Sequence, residues 1–509
     1  MKSFKPYSLI NMSTLDRISI RNDMFQKPPL SEITNRSKFT ISLRKSKRSS
    51  LVSNKRETFL NISFAKDFPP DLKTPAPFLF DLDLSLTNKL TLLDELITPN
   101  NSELFPSITQ VVLILQNSSV ANLGNTLKNF VNLAIEELSN PNCPLRSHYM
   151  KCFGRMVYES NLEFITEKHL IRLVGLLSKR NSAEFFESLV ISIGNIAADS
   201  IKNRDQILLL EGYKPIFKAI DSNKIELKCL SNIVWALCSL LKGFPLPLFT
   251  YVGGFLARVN TLLNYNNDEI IYELLWGISN ILEASQLHEL VFKTISFNFI
   301  CSLVRIQALK IPALRCLGIT IYRNSAFSAD LISSGVLEIL LSDLNSLEIN
   351  EIQDILILVS NLSESGADYA HLILEHELFC NICSLCSSIN EVTKQDSLSA
   401  IECLIRNSDY PEVICVFNKH SSLFASVVQG LSSKIPETLL IVLKLLKRLF
   451  EAEEEAELLT MSKREFFFEF NQTGGLDALE GLQIHQNDEV YKESKSLIQR
   501  FWEYDIIAN

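Results

Sequence analysis

Cys380, Cys383 and Cys386 form a C-x2-C-x2-C run, a spacing that could offer three thiolates to a metal or iron–sulfur centre, with Cys403, His371 or His376 as a fourth ligand. At three-residue intervals on a helix the same thiols fall near one face, as small buried side chains do, and that reading predicts no metal. The seven histidines, His148, His169, His288, His371, His376, His420 and His485, nowhere take the H-E-x-x-H spacing of a zinc hydrolase. No nucleophile elbow, P-loop or dinucleotide fingerprint interrupts the chain. Neither catalysis nor a cofactor is expected.

Charge offers a different chemistry. Arg36, Lys38, Arg44, Lys45, Lys47, Arg48, Lys55 and Arg56 lie close together, and Glu57 is the only acid between residues 36 and 60. Such a run can neutralise nucleic acid or anionic lipid, fill an acidic protein groove (its own included), or simply stay solvated. The first 60 residues hold 13 Lys/Arg against 4 Asp/Glu; the other 449 hold 36 against 54, a balance of −18. A body of that sign repels polyanions, which argues against a nucleic-acid or membrane binder. The acidic run Glu451–Glu457 reads as a solvated helix end, and Phe466-Phe467-Phe468 as core of the last repeat.

These groups need a scaffold, and 509 residues exceed what one hydrophobic core organises. Glycine, 16 residues in all, is too scarce for folds rich in tight turns or phosphate-binding loops. No apolar run reaches the length of a membrane span, since even Leu439–Phe450 is broken by Lys444, Lys447 and Arg448. The N-terminus has no uninterrupted apolar stretch and the 11 cysteines are scattered, so a reducing, intracellular setting is expected. Pro69, Pro70, Pro75 and Pro77 mark an extended linker. The expected domains are a basic segment over 1–60, a linker over 61–84 and a helical body over 85–509.

The body repeats. Apolar residues recur at three- and four-residue spacing between short polar turns, and similar words restart the pattern at Gly212-Tyr213-Lys214-Pro215, Gly253-Gly254-Phe255, Gly335-Val336-Leu337 and Gly474-Gly475-Leu476. A fixed point on the second apolar helix of each repeat falls at Lys151, Ile191, Trp235, Trp276, Arg315, Ile357 and Leu398, intervals of 40, 44, 41, 39, 42 and 41 residues. A period in the forties predicts HEAT or armadillo repeats of two or three helices, stacked so that neighbours bury what one repeat cannot.

The words at those fixed points resemble a particular family. Ser192-Ile193-Gly194-Asn195-Ile196-Ala197-Ala198-Asp199-Ser200 followed by Arg204-Asp205, Asn232-Ile233-Val234-Trp235-Ala236-Leu237, Leu274-Leu275-Trp276-Gly277, Pro312-Ala313-Leu314-Arg315-Cys316 and Val359-Ser360-Asn361-Leu362 resemble, in order, the third to seventh armadillo repeats of importin-α, the nuclear-import adaptor. Phe468–Tyr504 is similar to that family's final repeat. The resemblance implies an all-α armadillo solenoid of about ten repeats, a right-handed superhelix with a flexible basic N-terminal segment. It also implies an adaptor, shuttling between cytoplasm and nucleus, that holds basic localisation signals in its concave groove. Its other partners are then importin-β and, through the last repeat, a recycling exportin, with no membrane or direct nucleic-acid contact. Arg36, Lys38, Leu43, Arg44, Lys45, Lys47, Arg48, Lys55 and Arg56 correspond to the importin-β-binding segment, which can also fold back as a pseudo-signal.

A groove for such signals needs Asn amides to fix the peptide backbone, Trp faces for lysine stems, and acids for the ammonium ends. The resemblance carries these roles onto Asn195, Asp199, Asn232, Trp235, Trp276, Asn280, Glu283, Asp354 and Asn361. Elsewhere the pattern departs: Ile191, Ile357 and Leu398 replace Trp, Ser239 and Glu402 replace Asn, and Lys151 with Arg155 replaces the Trp/Asn pair of the second repeat. A weaker or narrower preference for basic peptides follows. The competing expectation is an armadillo interaction scaffold whose groove no longer takes lysine-rich signals.

Overall fold

Helices dominate because the apolar stripe repeats every three to four residues and because side chains stop and start it at defined points. Ser182 Oγ accepts from Phe185 N (3.2 Å), Asn267 Oδ1 from Ile270 N (3.1 Å), Asn390 Oδ1 from Val392 N and Thr393 N (both 3.0 Å), and Asn487 Oδ1 from Glu489 N (2.9 Å). Each cap satisfies an orphan N–H, and each is followed by an acid in the first turn, where the helix dipole favours negative charge. Thr166 and His169 go further and cap one another, Thr166 N donating to His169 Nδ1 and His169 N to Thr166 Oγ1.

The computed structural model describes residues 95–98, 124–159, 164–179, 181–222, 225–243, 245–344, 349–461 and 463–502. The basic segment and the linker lie outside these, as do all the residues assigned to importin-β. Among the described residues there are 24 α-helices and no strand. The chain divides into two units, Met1–Val252 and Gly253–Asn509.

The N-terminal unit runs α1 (Gly124–Ser139), α2 (Arg146–Glu159), α3 (Glu167–Leu177), α4 (Ala183–Asp199), α5 (Ile201–Leu209), α6 (Tyr213–Asp221) and α7 (Leu227–Ser239); the division falls inside α8 (Phe249–Leu263). Helix α2 packs on α4, and α4 on α7. The C-terminal unit continues with α9 (Asp268–Leu282) and five three-helix repeats. These are α10 to α12 (His288–Thr294, Phe297–Leu303, Lys310–Arg323), α13 to α15 (Ser328–Ser333, Val336–Leu344, Ile349–Glu364) and α16 to α18 (Ala367–Glu375, Glu377–Leu385, Glu391–Arg406). The last two are α19 to α21 (Tyr410–Lys419, Ser421–Gly430, Pro436–Thr460) and α22 to α24 (Glu465–Gln472, Gly475–Gly481, Asp488–Phe501). The closing helix of each repeat packs on the next: α9 on α12, α12 on α15, α15 on α18, α18 on α21 and α21 on α24. This is an armadillo solenoid, and the seven fixed points all lie on the closing helices α2, α4, α7, α9, α12, α15 and α18.

One repeat is clasped to the next by a buried cation. Arg204 on α5 is fully buried; its Nη1 donates to the carbonyls of Lys242 (2.5 Å) and Gly243 (3.0 Å), and its Nη2 to that of Pro245 (2.7 Å) and to Asp205 Oδ1 (2.8 Å). Gly243 has φ +87°, a left-handed conformation natural to glycine, and this turn offers its carbonyl to the guanidinium.

Three sequence expectations change in detail. The C-x2-C-x2-C run buries Cys383 and Cys386 but exposes Cys380, so the thiols do not share one buried face; burial pushes the Cys383 thiol up and that of Cys386 up to about 11. The acidic run is not wholly solvated. Glu453 is buried and caps α22, accepting from Phe466 N (2.8 Å) and Phe467 N (2.9 Å), while Arg500 pairs with Glu451 and Glu454. In the phenylalanine triplet, Phe466 and Phe467 are core but Phe468 is exposed, because α22 turns that position outward.

Replacing Arg204 with Leu would take the charged donor from the half-buried carbonyls of Lys242, Gly243 and Pro245. At roughly 1.5–3 kcal/mol for a hydrogen bond to a charged group, discounted for partial exposure, Arg204→Leu is expected to lower the unfolding free energy by about 3 kcal/mol. Urea denaturation checks this; an unchanged midpoint would show that the clasp is dispensable.

Candidate functional site

In the N-terminal unit the site is built on α4 and α7. Glu187, Ile191, Asn195 and Asp199 follow at four-residue intervals on α4 and so share one stripe. Asn195 is only 2% exposed, and its Oδ1 accepts no hydrogen bond from the described residues, whereas Asp199, one turn later, is exposed. Asn232 on α7 reaches back to α4, its Nδ2 donating to Glu187 Oε1 at 2.9 Å. One turn after Asn232, the half-buried Trp235 lays its indole across Gly194: a Cβ there would stand 2.8 Å from both Trp235 Cζ3 and Ala236 Cβ. Asn195, Asn232 and Trp235 are thus brought together where α4 packs on α7, with Asp199 one turn beyond Asn195 and Glu187 two turns before it.

The same cross-helix register holds one repeat earlier. Gly154 on α2 faces Ser192 on α4, where a Cβ would lie 3.3 Å from Ser192 Oγ. Gly154 and Gly194 are 40 residues apart, and Ser192 and Ala236 are 44 apart, the two intervals read from the sequence periodicity. Lys151 and Arg155 therefore stand on α2 where Ile191 and Asn195 stand on α4, and Trp235 and Ser239 on α7. Lys151 Nζ is 3.3 Å from Glu184 Oε1. Ser239 turns inward, donating to the carbonyl of Trp235 at 3.0 Å.

The C-terminal unit treats the corresponding positions differently. Trp276 on α9 is 7% exposed, with the Arg315 guanidinium 5.2 Å from its ring centre and Tyr272 edge-on at 6.2 Å. Asn280 Nδ2 donates to the Trp276 carbonyl of its own helix (3.0 Å), and Glu283 faces Arg323 at 3.6 Å. Asn361 on α15 is buried and donates to the Gly318 carbonyl on α12 at 2.9 Å, while Asp354 is half-buried. Leu398 is wholly buried, and Glu402 pairs with Arg406 at 3.2 Å. Here the amide donors are used within the protein. Among the described residues no group of histidine, cysteine and acidic side chains is arranged to hold a metal ion.

Sequence reasoning missed Glu187, which orients Asn232. Its signal was an acid exactly one four-residue step before Ile191 on the Asn195–Asp199 stripe. Arg204 and Asp205 were part of the recognised word, but their position was silent about the clasp they form.

Comparison with known proteins fits this geometry. A family model described as an atypical Arm repeat matches residues 467–509. An engineered protein of known crystal structure superposes over 80% of this chain and 97% of its own, with TM-score 0.59 and 14% identity, a likeness of fold alone. Importin subunit alpha-1b of Oryza sativa subsp. japonica is 25% identical over 163 residues, 31% of this chain and 30% of its own. Importin subunit alpha-5 of Arabidopsis thaliana is 29% identical over 99 residues, 19% of each chain, and probable importin subunit alpha-A of Dictyostelium discoideum 22% over 300 residues, 54% of each. The chain is a divergent importin-α-like armadillo protein. It spans between a fifth and about half the length of these three relatives. What makes this importin-α-like chain divergent is visible in the ladder itself, where Ile191, Ser239, Ile357 and Leu398 replace residues the resemblance calls for.

Because Gly194 is the floor under Trp235, Gly194→Ala is expected to destabilise the importin-α-like N-terminal unit by about 1–3 kcal/mol through overpacking, and to shift tryptophan emission. Gly154→Ala, which meets only a hydroxyl, should cost less. Thermal melts of the two variants compare them directly; equal losses would show that the indole does not rest on Gly194.

Proposed function

We propose that this importin-α-like chain is an adaptor in nuclear protein import that binds basic localisation signals along its closing helices. The observation that carries the reading is Asn195 Oδ1, buried and accepting no hydrogen bond from the described residues, beside the Trp235 shelf and the exposed Asp199. A buried amide oxygen without a partner costs about 1–3 kcal/mol, which a peptide N–H recovers once the Asn195 amide turns outward to meet it. The lysine stem packs on Trp235, and its ammonium meets Asp199, drawn in by a body of charge −18. In the C-terminal unit, taken by itself, the resemblance assigns the same kind of role to Trp276, Asn280, Glu283, Asp354 and Asn361. Arg36 to Arg56 recruit importin-β, the final repeat meets a recycling exportin, and the protein shuttles between cytoplasm and nucleus. When importin-β leaves, the tethered basic segment competes with cargo at high effective concentration.

A second reading is an armadillo scaffold that has lost lysine-signal binding. Trp276 favours it, being 7% exposed and already covered by Arg315.

Fluorescence anisotropy with a lysine-rich peptide decides between them. On the adaptor reading Trp235→Ala weakens binding by roughly 2- to 30-fold, the span of a cation–π contact of about 0.5–2 kcal/mol. Asp199→Ala weakens it in the same direction, and raised salt does so for both proteins. Affinity indifferent to both substitutions would sink the assigned site. A pull-down with importin-β should succeed with the full chain and fail without residues 1–60.

A further inference from the structure

Helix α21 is longer than the repeat it closes. Its last buried residues are Ala452 and Glu453, and Glu453 accepts from Phe466 N and Phe467 N, so α22 begins alongside it. From Glu454 to Met461 no residue is buried. At about 1.5 Å per residue, the helix therefore runs about 10 Å past the point where its repeat stops covering it. The extension is held in place. Arg500 of α24 reaches Glu454 at 3.6 Å, Thr460 Oγ1 donates to the Ala456 carbonyl at 2.7 Å, and Met461 N donates to that of Glu457 at 2.9 Å. Yet Leu458, Leu459 and Met461 on it are 80%, 75% and 91% exposed. Met461 has φ +56°, a left-handed helix stop that glycine takes at lower cost, so the turn holds an apolar side chain where a residue without one is the ordinary choice.

Acids surround these three side chains. Leu458 lies one turn after Glu454 and Leu459 one turn after Glu455, so each leucine shares a face with a carboxylate. Glu455 and Glu457 are exposed and make no ion pair among the described residues. Glu454 is matched by Arg500, and the exposed Lys463 beyond the turn offsets only one of the others, so the tip is acidic. That charge decides between occupants. A second copy docking tip to tip would oppose like carboxylates, and an anionic membrane would repel them. A helix with apolar side chains at three- and four-residue spacing, edged by lysines or arginines, covers the leucines and pairs the acids at once. We infer that the projecting end of α21 is a docking site for a basic amphipathic helix of another protein. It belongs to the penultimate repeat and depends neither on the peptide site at α4 and α7 nor on the exportin contact of the final repeat.

The test uses the full chain and a labelled peptide of leucine and lysine about 18 residues long, with its leucines at helical spacing. Excess unlabelled Lys-Lys-Lys-Arg-Lys, which has no apolar face, fills the site at Trp235 and keeps it out of the measurement. Expected is saturable binding that Leu458→Gln and Leu459→Gln each weaken by about tenfold, the size of one leucine side chain buried on docking. Both positions are exposed and glutamine is a good helix former, so the variants fold, as circular dichroism checks. The same peptide with glutamates for lysines, or with its residues scrambled, binds at least about tenfold more weakly. Affinity unmoved by both glutamine variants overturns the inference. So does binding that appears only when residues 1–60 are removed, which assigns the tip to the chain's own basic segment. Dimers in sedimentation that Leu458→Gln dissolves overturn it too, by assigning the tip to a second copy. None of these results touches affinity for the lysine-rich peptide, whose loss in turn leaves the α21 site standing.

Discussion

Everything in this protein depends on the register in which one closing helix lies on the next. A three-helix repeat buries its apolar face only against its neighbours, so helix spacing and axial offset are structural requirements before they are functional ones. At α4 and α7 the requirement is met by Gly194, which leaves room for both the indole of Trp235 and the backbone of Ala236. That close approach sets where every later residue of α7 falls. Asn232 meets Glu187 because the offset is right, and Trp235 is held half-buried for the same reason. The clasp of Arg204 on the carbonyls after α7 fixes the following turn in the same frame.

Once register is fixed, the functional question becomes which polar groups the solenoid consumes for itself. An asparagine on a helix can bond back to its own backbone, and that local bond competes with any ligand. Asn280 does this with Trp276, and Ser239 does it with Trp235. Asn361 spends its donor across the helix interface on Gly318. Asn195 differs because its acceptor is buried without a partner among the described residues. Residue identity at a ladder position is therefore a poor guide to binding. Spare hydrogen-bonding capacity is the better one, and by that measure the two units are unlike.

The fold was legible in the sequence because it is periodic. Intervals of 39 to 44 residues between Lys151 and Leu398 reflect repeats that must stack, and each fixed point does lie on a closing helix. Asn267, Asn390 and Asn487, each followed by an acid, carry a helix-start signal that the sequence reading left unused. What stayed hidden were charges with backbone partners. Glu453 reads as one of five glutamates in a solvated run, yet it is buried and holds the N-terminus of α22. Arg204 reads only as part of the word that begins at Ser192, yet it is buried on three carbonyls. Carbonyls and amides carry no residue signature, so nothing in the sequence distinguishes a charge that will find them. The site was legible to the extent that Asn195, Asp199, Asn232 and Trp235 share two packed helices; the covering of Trp276 by Arg315 was not.

These two kinds of concealment have one physical origin. A cation near an aromatic ring or a cluster of carbonyls is stabilised whether the cation is the protein's own or a ligand's. Where the chain supplies it, as Arg315 does for Trp276, the position becomes part of the structure, and a lysine from outside must displace a tethered competitor. Divergence in a solenoid of this type need not erode the ladder residue by residue. A single arginine one helix away converts an aromatic shelf from a binding surface into packing, while leaving the repeat, its register and its burial intact.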